Sequence, residues 1–96
     1  MAEPMLLQMP TDRMILEELE RGQNLGANVA EAIDRHQKTV SSRLAQLEDY
    51  GLVENIGNGV YRLTDRGEVA LEHIDEYDRD DSDEFRQLVD REAPRD

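Results

Sequence analysis

The step Asn58-Gly59, set between LVENI and VYRL, limits the possible folds more than any other feature of the chain. Both positions of such a turn need φ > 0, and the flanking segments are rich in β-branched and aromatic residues, so the pattern predicts a β-hairpin. The rest of the chain has helical spacing. Thr11 is the expected N-cap with Asp12 in the first turn, and Ile15, Leu16 and Leu19 continue a first helix to Gly22. After RGQNLG, the repeat Val29, Ala30, Ile33 suits a short second helix ending near Asp34. Following the tight connection DRHQ, Val40, Leu44 and Leu47 recur at i, i+4 and i+7, which predicts a third helix from about Gln37 to Tyr50 with Gly51 as its stop. Thr64 then caps a fourth helix with Val69, Ala70, Ile74 and Tyr77 on one side. The order is α-α-α-β-β-α, mainly α with a small β-hairpin, and the closely joined second and third helices suit a helix-turn-helix.

Residues 11–77 hold these elements. Residues 1–10 are a leader with apolar Met5, Leu6, Leu7 and Met9, closed by Pro10, which either packs on the domain or a partner, or frays. From Asp75 to Glu84 seven of ten residues are acidic, which favours a solvated hinge over packed structure. The acidic tail, residues 78–96, also carries Phe85, Leu88 and Val89 at i, i+3 and i+4, with Asp81 and Glu84 spaced like a capping box. These suit a short C-terminal helix that is unstable alone and needs a surface to lie on.

The 96 residues carry ten arginines and one lysine against 23 acids, a formal charge of -12. Acid excess with lysine depletion resembles the proteins of salt-loving archaea, and it bears on solubility and association rather than fold. The absence of cysteine removes disulfides and thiolate metal sites, and His36 and His73 are too far apart in sequence to suggest a ligand pair. No cofactor or metal is expected. No apolar run approaches the roughly 20 residues of a membrane span, and the chain reads as cytoplasmic. With no glycine-rich phosphate loop and no Ser-His-Asp set to bury in a cleft, an enzyme is not expected. Nothing beyond the core looks large enough to enclose an effector, so no small-molecule ligand is expected either.

Four motifs in order, V-A-x-x-I at 29–33, V-S-x-R-L-x-x-L at 40–47, G-L-V-E at 51–54 and G-x-Y-R-L-T-x-x-G at 59–67, resemble a winged helix-turn-helix DNA-binding domain. The combination is similar to the haloarchaeal phage-repressor-like winged-helix regulators over about residues 10–75. The resemblance implies that the third helix enters the major groove with a surface drawn from residues 35–46, and that the hairpin touches backbone or minor groove. A wheel at about 100° per residue gives a matching face. Opposite Val40, Leu44 and Leu47 lie Lys38, Thr39, Ser42 and Gln46, flanked by Arg35, Ser41 and Arg43. Arg and Lys suit phosphates or guanine edges, Gln suits adenine, and Ser and Thr suit either groove edge or phosphate. Any exposed helix face is polar, but the thirteen residues from Arg35 to Leu47 carry three positive charges and no carboxylate, in a chain nearly one quarter Asp and Glu.

Arg43 lies between the exposed and buried sides, placed either in the contact or across the first helix on a carboxylate. His36 is open to a phosphate or a capping role, and Gln37 stands near the helix start, where a helix commonly meets the DNA backbone. The hairpin tip has no cation; Asn58 and backbone N–H groups remain for a phosphate, with Arg62 and Arg66 further along and Tyr61 expected to pack inward.

Residues 67–96 hold twelve acids and four arginines, net -8, leaving only -4 on the first 66 residues, so charge is segregated. In high salt the Debye length falls to roughly 3 Å and distant acids are screened. The reading is a sequence-specific regulator, a repressor, that binds palindromic double-stranded DNA as a homodimer. The alternative is a winged-helix module that binds protein within the transcription machinery.

Overall fold

A computed structural model describes residues 5–94. The first four residues of the expected leader and the last two of the expected tail lie outside that range. The described residues are mainly helical, with α1 (Thr11–Glu20), α2 (Gly26–Ala32), α3 (Gln37–Asp49), α4 (Asp65–Glu72) and α5 (Ser82–Glu92). Three short strands, β1 (Asn24–Leu25), β2 (Val53–Gly57) and β3 (Val60–Leu63), form one antiparallel sheet in the order β1-β3-β2. None of the described helices is long and apolar enough to cross a membrane.

The hairpin forms as its turn chemistry requires, with Asn58 and Gly59 at φ of 56° and 75°. Val53 pairs with Leu63, Glu54 with Arg62 and Asn55 with Tyr61; the register then shifts so that Gly57 meets Val60, and Ile56 is left outside the ladder. β1 is an addition to the expected order: Asn24 and Leu25 pair with Tyr61 and Val60. Two residues are too few to show a strand period in sequence.

The core is built from the predicted stripes. Ile15, Leu16 and Leu19 of α1, Val29 and Ala30 of α2, and Val40, Leu44 and Leu47 of α3 are all buried. Leu52 and Val53 close the base of the hairpin, and Ala70 and Leu71 of α4 cover it. Thr64 caps α4 by accepting the Gly67 N–H at 3.0 Å, and its hydroxyl donates to Gly51 O at 2.6 Å, so the start of α4 is fixed to the end of α3.

Several local expectations are corrected. Thr11 is the first residue of α1 rather than its cap; Asp12 instead reaches back to accept the Gln8 N–H at 2.8 Å. α4 stops at Glu72, and Ile74–Glu76 tightens into a 3₁₀ turn, so Ile74 and Tyr77 leave the helix while still packing on the core. The acidic stretch is not a free hinge. Its carboxylates are exposed, but the Tyr77 hydroxyl accepts the Leu7 N–H at 2.9 Å and its ring meets Phe85 edge-on at 5.3 Å. The leader packs through buried Met5 and Leu7, and α5 packs through buried Phe85 and Val89. Asp81 and Glu84 do not form a capping box: Glu84 faces the Asp81 carboxyl, a hydrogen bond that raises its pKa.

Two polar anchors hold the outer elements. The buried Arg66 donates to Tyr50 O at 2.8 Å and Ala93 O at 3.2 Å and pairs with Asp90, joining α3, α4 and α5. His73 sits between Glu76, 2.5 Å from Nδ1, and Glu92, 2.8 Å from Nε2. The Nε2 contact lacks hydrogen-bond alignment, so it acts as a charge contact. The hydrogen bond to Glu76 and then the Glu92 charge raise the His73 pKa above its ordinary 6.5, against the opposing effect of desolvation.

On the inner side, Asp12 is fully buried and Arg43 donates to both its oxygens, at 2.9 and 2.8 Å. Replacing Asp12 by Ala leaves the guanidinium, 13% exposed, without its partner, and should cost about 3 kcal/mol in denaturant unfolding; a loss under about 1 kcal/mol would contradict the account. A Cβ on Gly67 would lie 2.0 Å from Leu52 O and 2.7 Å from Leu63 Cδ1, so Gly67→Ala should also lose about 3 kcal/mol by overpacking. His73 stabilises the fold when protonated. Its contribution is full below pH 6.5 and declines as pH rises through the raised folded value, so the melting temperature should fall across that window in the wild type and stay flatter in His73→Gln.

Candidate nucleic-acid interface

Burial of Val40, Leu44 and Leu47 sets the inward side of α3. Lys38, Thr39 and Ser42 are therefore exposed, as are Gln37 and Ser41 on the side toward the hairpin and Arg35 just before the helix. His36 takes the capping role: its Nδ1 accepts the Lys38 N–H at 3.1 Å. Gln46 is half-buried and lies beside the leader rather than fully on the outer face.

Of the two placements open to Arg43, the one across α1 is found. Besides Asp12 it contacts Leu6 O at 3.4 Å, which ties α3, α1 and the leader together. Arg43 therefore leaves the candidate contact set, because its charge is paired with the buried Asp12 and its head points inward. Its pKa is raised above the ordinary guanidinium value, first by the hydrogen bond to Asp12. Arg62 is exposed but bonded to Glu54 across the hairpin, at 3.0 and 2.8 Å from Glu54 Oε2, so its charge is largely offset. Asn58 is exposed at the hairpin tip, and Tyr61 turns its ring inward, where it would touch a side chain at Gly26.

Charge pairing separates the cations. Among the described residues, six arginines make ion pairs with carboxylates, whereas Arg35, Lys38, Arg79 and Arg91 make none. Arg35 only donates to the neighbouring Asp34 O, at 3.3 Å. Arg79 and Arg91 stand among acids, whereas Lys38 and Arg35 open a run of thirteen residues, 35–47, without a carboxylate.

The absence of carboxylates extends beyond α3. Residues 21–30, 35–47 and 55–64 contain no carboxylate, and the fold brings the three runs together. Leu25, Gly26 and Ala27 from the first, Gln37 and Ser41 from the second, and Gly59 and Tyr61 from the third line one hollow of about 310 Å³. The Gly26 N–H donates to Gly59 O at 3.1 Å, which holds the start of α2 against the hairpin turn. The segment at the start of α2 joins this candidate surface although no motif in the sequence marks it. Its signal was present as an acid-free run, but only pairing of β1 with β3 sets it beside α3.

No group of three or more His, Asp or Glu side chains among the described residues is placed to hold a metal ion. The acid-free face can neutralise an anion and offer amide and hydroxyl hydrogen bonds.

No curated protein matches the sequence. A family model, the HVO_A0261 N-terminal domain, matches residues 3–84, a span that runs from the leader to the start of α5. The chain belongs to this haloarchaeal family.

Proposed function

We propose that this chain is a winged helix-turn-helix regulator, a repressor, that binds duplex DNA as a homodimer, with α3 in the major groove and the β2–β3 hairpin as the wing. The observation that carries the reading is the convergence of three acid-free runs, distant in sequence, at one hollow beside α3, the helix whose start carries the unpaired cations Arg35 and Lys38. A three-stranded sheet ending in a hairpin beside α3 supports the fold name. Within this reading, Lys38 and Arg35 meet phosphates or guanine edges, while Gln37, Thr39, Ser41 and Ser42 supply short polar contacts to base edges and backbone. The wing carries no unpaired cation, and Asn58 and its neighbouring N–H groups meet the backbone without releasing many counterions.

Binding then depends on shape, close hydrogen bonds and dimer geometry more than on long-range charge, which suits high salt. The protomer measures 32 × 26 × 23 Å. Two such bodies side by side can set their α3 helices at the roughly 34 Å that separates successive major grooves on one DNA face. A protein partner is the competing reading, and the specific observation in its favour is that Leu25 and Ile56, at the sheet and hairpin, are each 42% exposed.

Titration of labelled duplex DNA selected from a random pool, at several KCl concentrations, tests the proposal. Saturable binding is expected, and Lys38→Ala should weaken it and lower the salt slope by about one if Lys38 meets a phosphate. No saturable binding at any salt concentration would sink the DNA reading and leave the protein partner. Unchanged affinity in Lys38→Ala would show that the reading face lies elsewhere.

A further inference from the structure

On the opposite flank of α3, a groove of about 730 Å³ runs between the leader and the helix. Leu6, Leu7 and Met9 supply an apolar wall, with Leu6 47% and Met9 41% exposed. The Tyr50 and Tyr77 side chains form the floor, and Gln46, Arg43 and Arg79 supply polar groups. No carboxylate lines it, although the chain has 23.

The groove is held open by its own hydrogen bonds. The Tyr50 hydroxyl accepts the Leu6 N–H at 3.1 Å and donates to Leu6 O at 3.2 Å, while the Tyr77 hydroxyl holds Leu7. Arg43 is committed to Asp12, but Arg79 makes no ion pair among the described residues. Of the acids that flank Arg79, Asp78 accepts the Asp80 N–H at 2.9 Å and lines a separate hollow on the side of Glu84 and Leu88. An unpaired guanidinium therefore stands at the edge of an apolar trough.

We propose that this groove binds a small amphipathic monocarboxylate, its carboxylate on Arg79 and Gln46 and its apolar body along Leu6, Met9 and the tyrosine rings. The guanidinium fork matches a carboxylate, and the volume falls within the roughly 300–1,000 Å³ of small-molecule sites. A second copy of the chain is a poorer occupant, since a two-fold contact puts the same patch on both sides, and this patch brings no carboxylate to Arg79. A phosphodiester backbone has no use for the apolar wall. The site stands independently of the DNA reading. Only its consequence, that occupancy reaches α3 through Arg43, Gln46 and Tyr50, rests on that reading.

Amide NMR titration of the full chain with sodium octanoate in KCl buffer tests the site, with octanol as the uncharged control. Saturable shifts are expected at Leu6–Met9, Gln46, Tyr50, Tyr77 and Arg79, with octanol and Arg79→Gln each weakening binding about tenfold through loss of a charge-assisted hydrogen bond. Lys38→Ala should leave octanoate binding unchanged. Equal affinity for octanol, undiminished affinity in Arg79→Gln, or no saturable shifts at these residues would overturn the proposal. It would also fall if these residues ignored octanoate and shifted instead with protein concentration, giving the groove to a second copy, or with duplex DNA.

Discussion

The buried pair of Asp12 and Arg43 is the contact on which the arrangement of the helices depends. Two charges taken out of water are costly unless geometry and further hydrogen bonds compensate. Here they do: Asp12 accepts two guanidinium donors and the Gln8 N–H, and Arg43 also reaches Leu6 O. The pair therefore fixes three things at once, namely the rotation of α3 about its axis, its position against α1, and the path of the leader across both. An apolar contact would tolerate slippage by part of a turn. A bidentate ion pair with buried partners does not.

That fixed rotation has an electrostatic consequence. With Val40, Leu44 and Leu47 inward and Arg43 held to one side, the outer face of α3 is left with short polar groups and Lys38. The arginines elsewhere are largely consumed by local carboxylates: Arg62 by Glu54, Arg66 by Asp90, and Arg86 by Asp83 and Asp90. Net charge thus says little about the field at any one face. A chain at -12 can keep its acids away from the hollow beside α3 because most of them lie in α1, the ends of α2 and α3, α4 and the C-terminal third, while Glu54 of β2 is paired with Arg62.

Much of the core was legible from spacing alone. The stripes Ile15-Leu16-Leu19 and Val40-Leu44-Leu47 are buried as their periods require, and Asn58-Gly59 forms the turn its chemistry selects. Lys38, Thr39 and Ser42 are exposed for the same reason. What sequence could not rank was competition between partners. Arg43 could face outward or cross α1, and a carboxylate 31 residues away decided it. Arg62 could have been free, but the hairpin register sets Glu54 opposite it. The composition of the acidic stretch from Asp75 suits a hinge because it is unfavourable for burial, yet the Tyr77 hydroxyl ties it to the leader, the Tyr77 ring to Phe85 of α5, and Asp75 to Arg13 of α1.

The sequence by itself determined the elements and their inward faces, because the periods of 3.6 and 2 residues and the φ demands of Asn-Gly are local properties of the chain. It also determined where carboxylates are absent. The tertiary structure alone decided which of those absences meet. Parts of runs 21–30, 35–47 and 55–64 meet at one hollow because β1 pairs with β3 and α3 packs against the hairpin. The leader and α5 likewise acquire fixed positions only through side chains such as Tyr77 and Arg66, whose partners are far away in sequence and cannot be inferred from spacing.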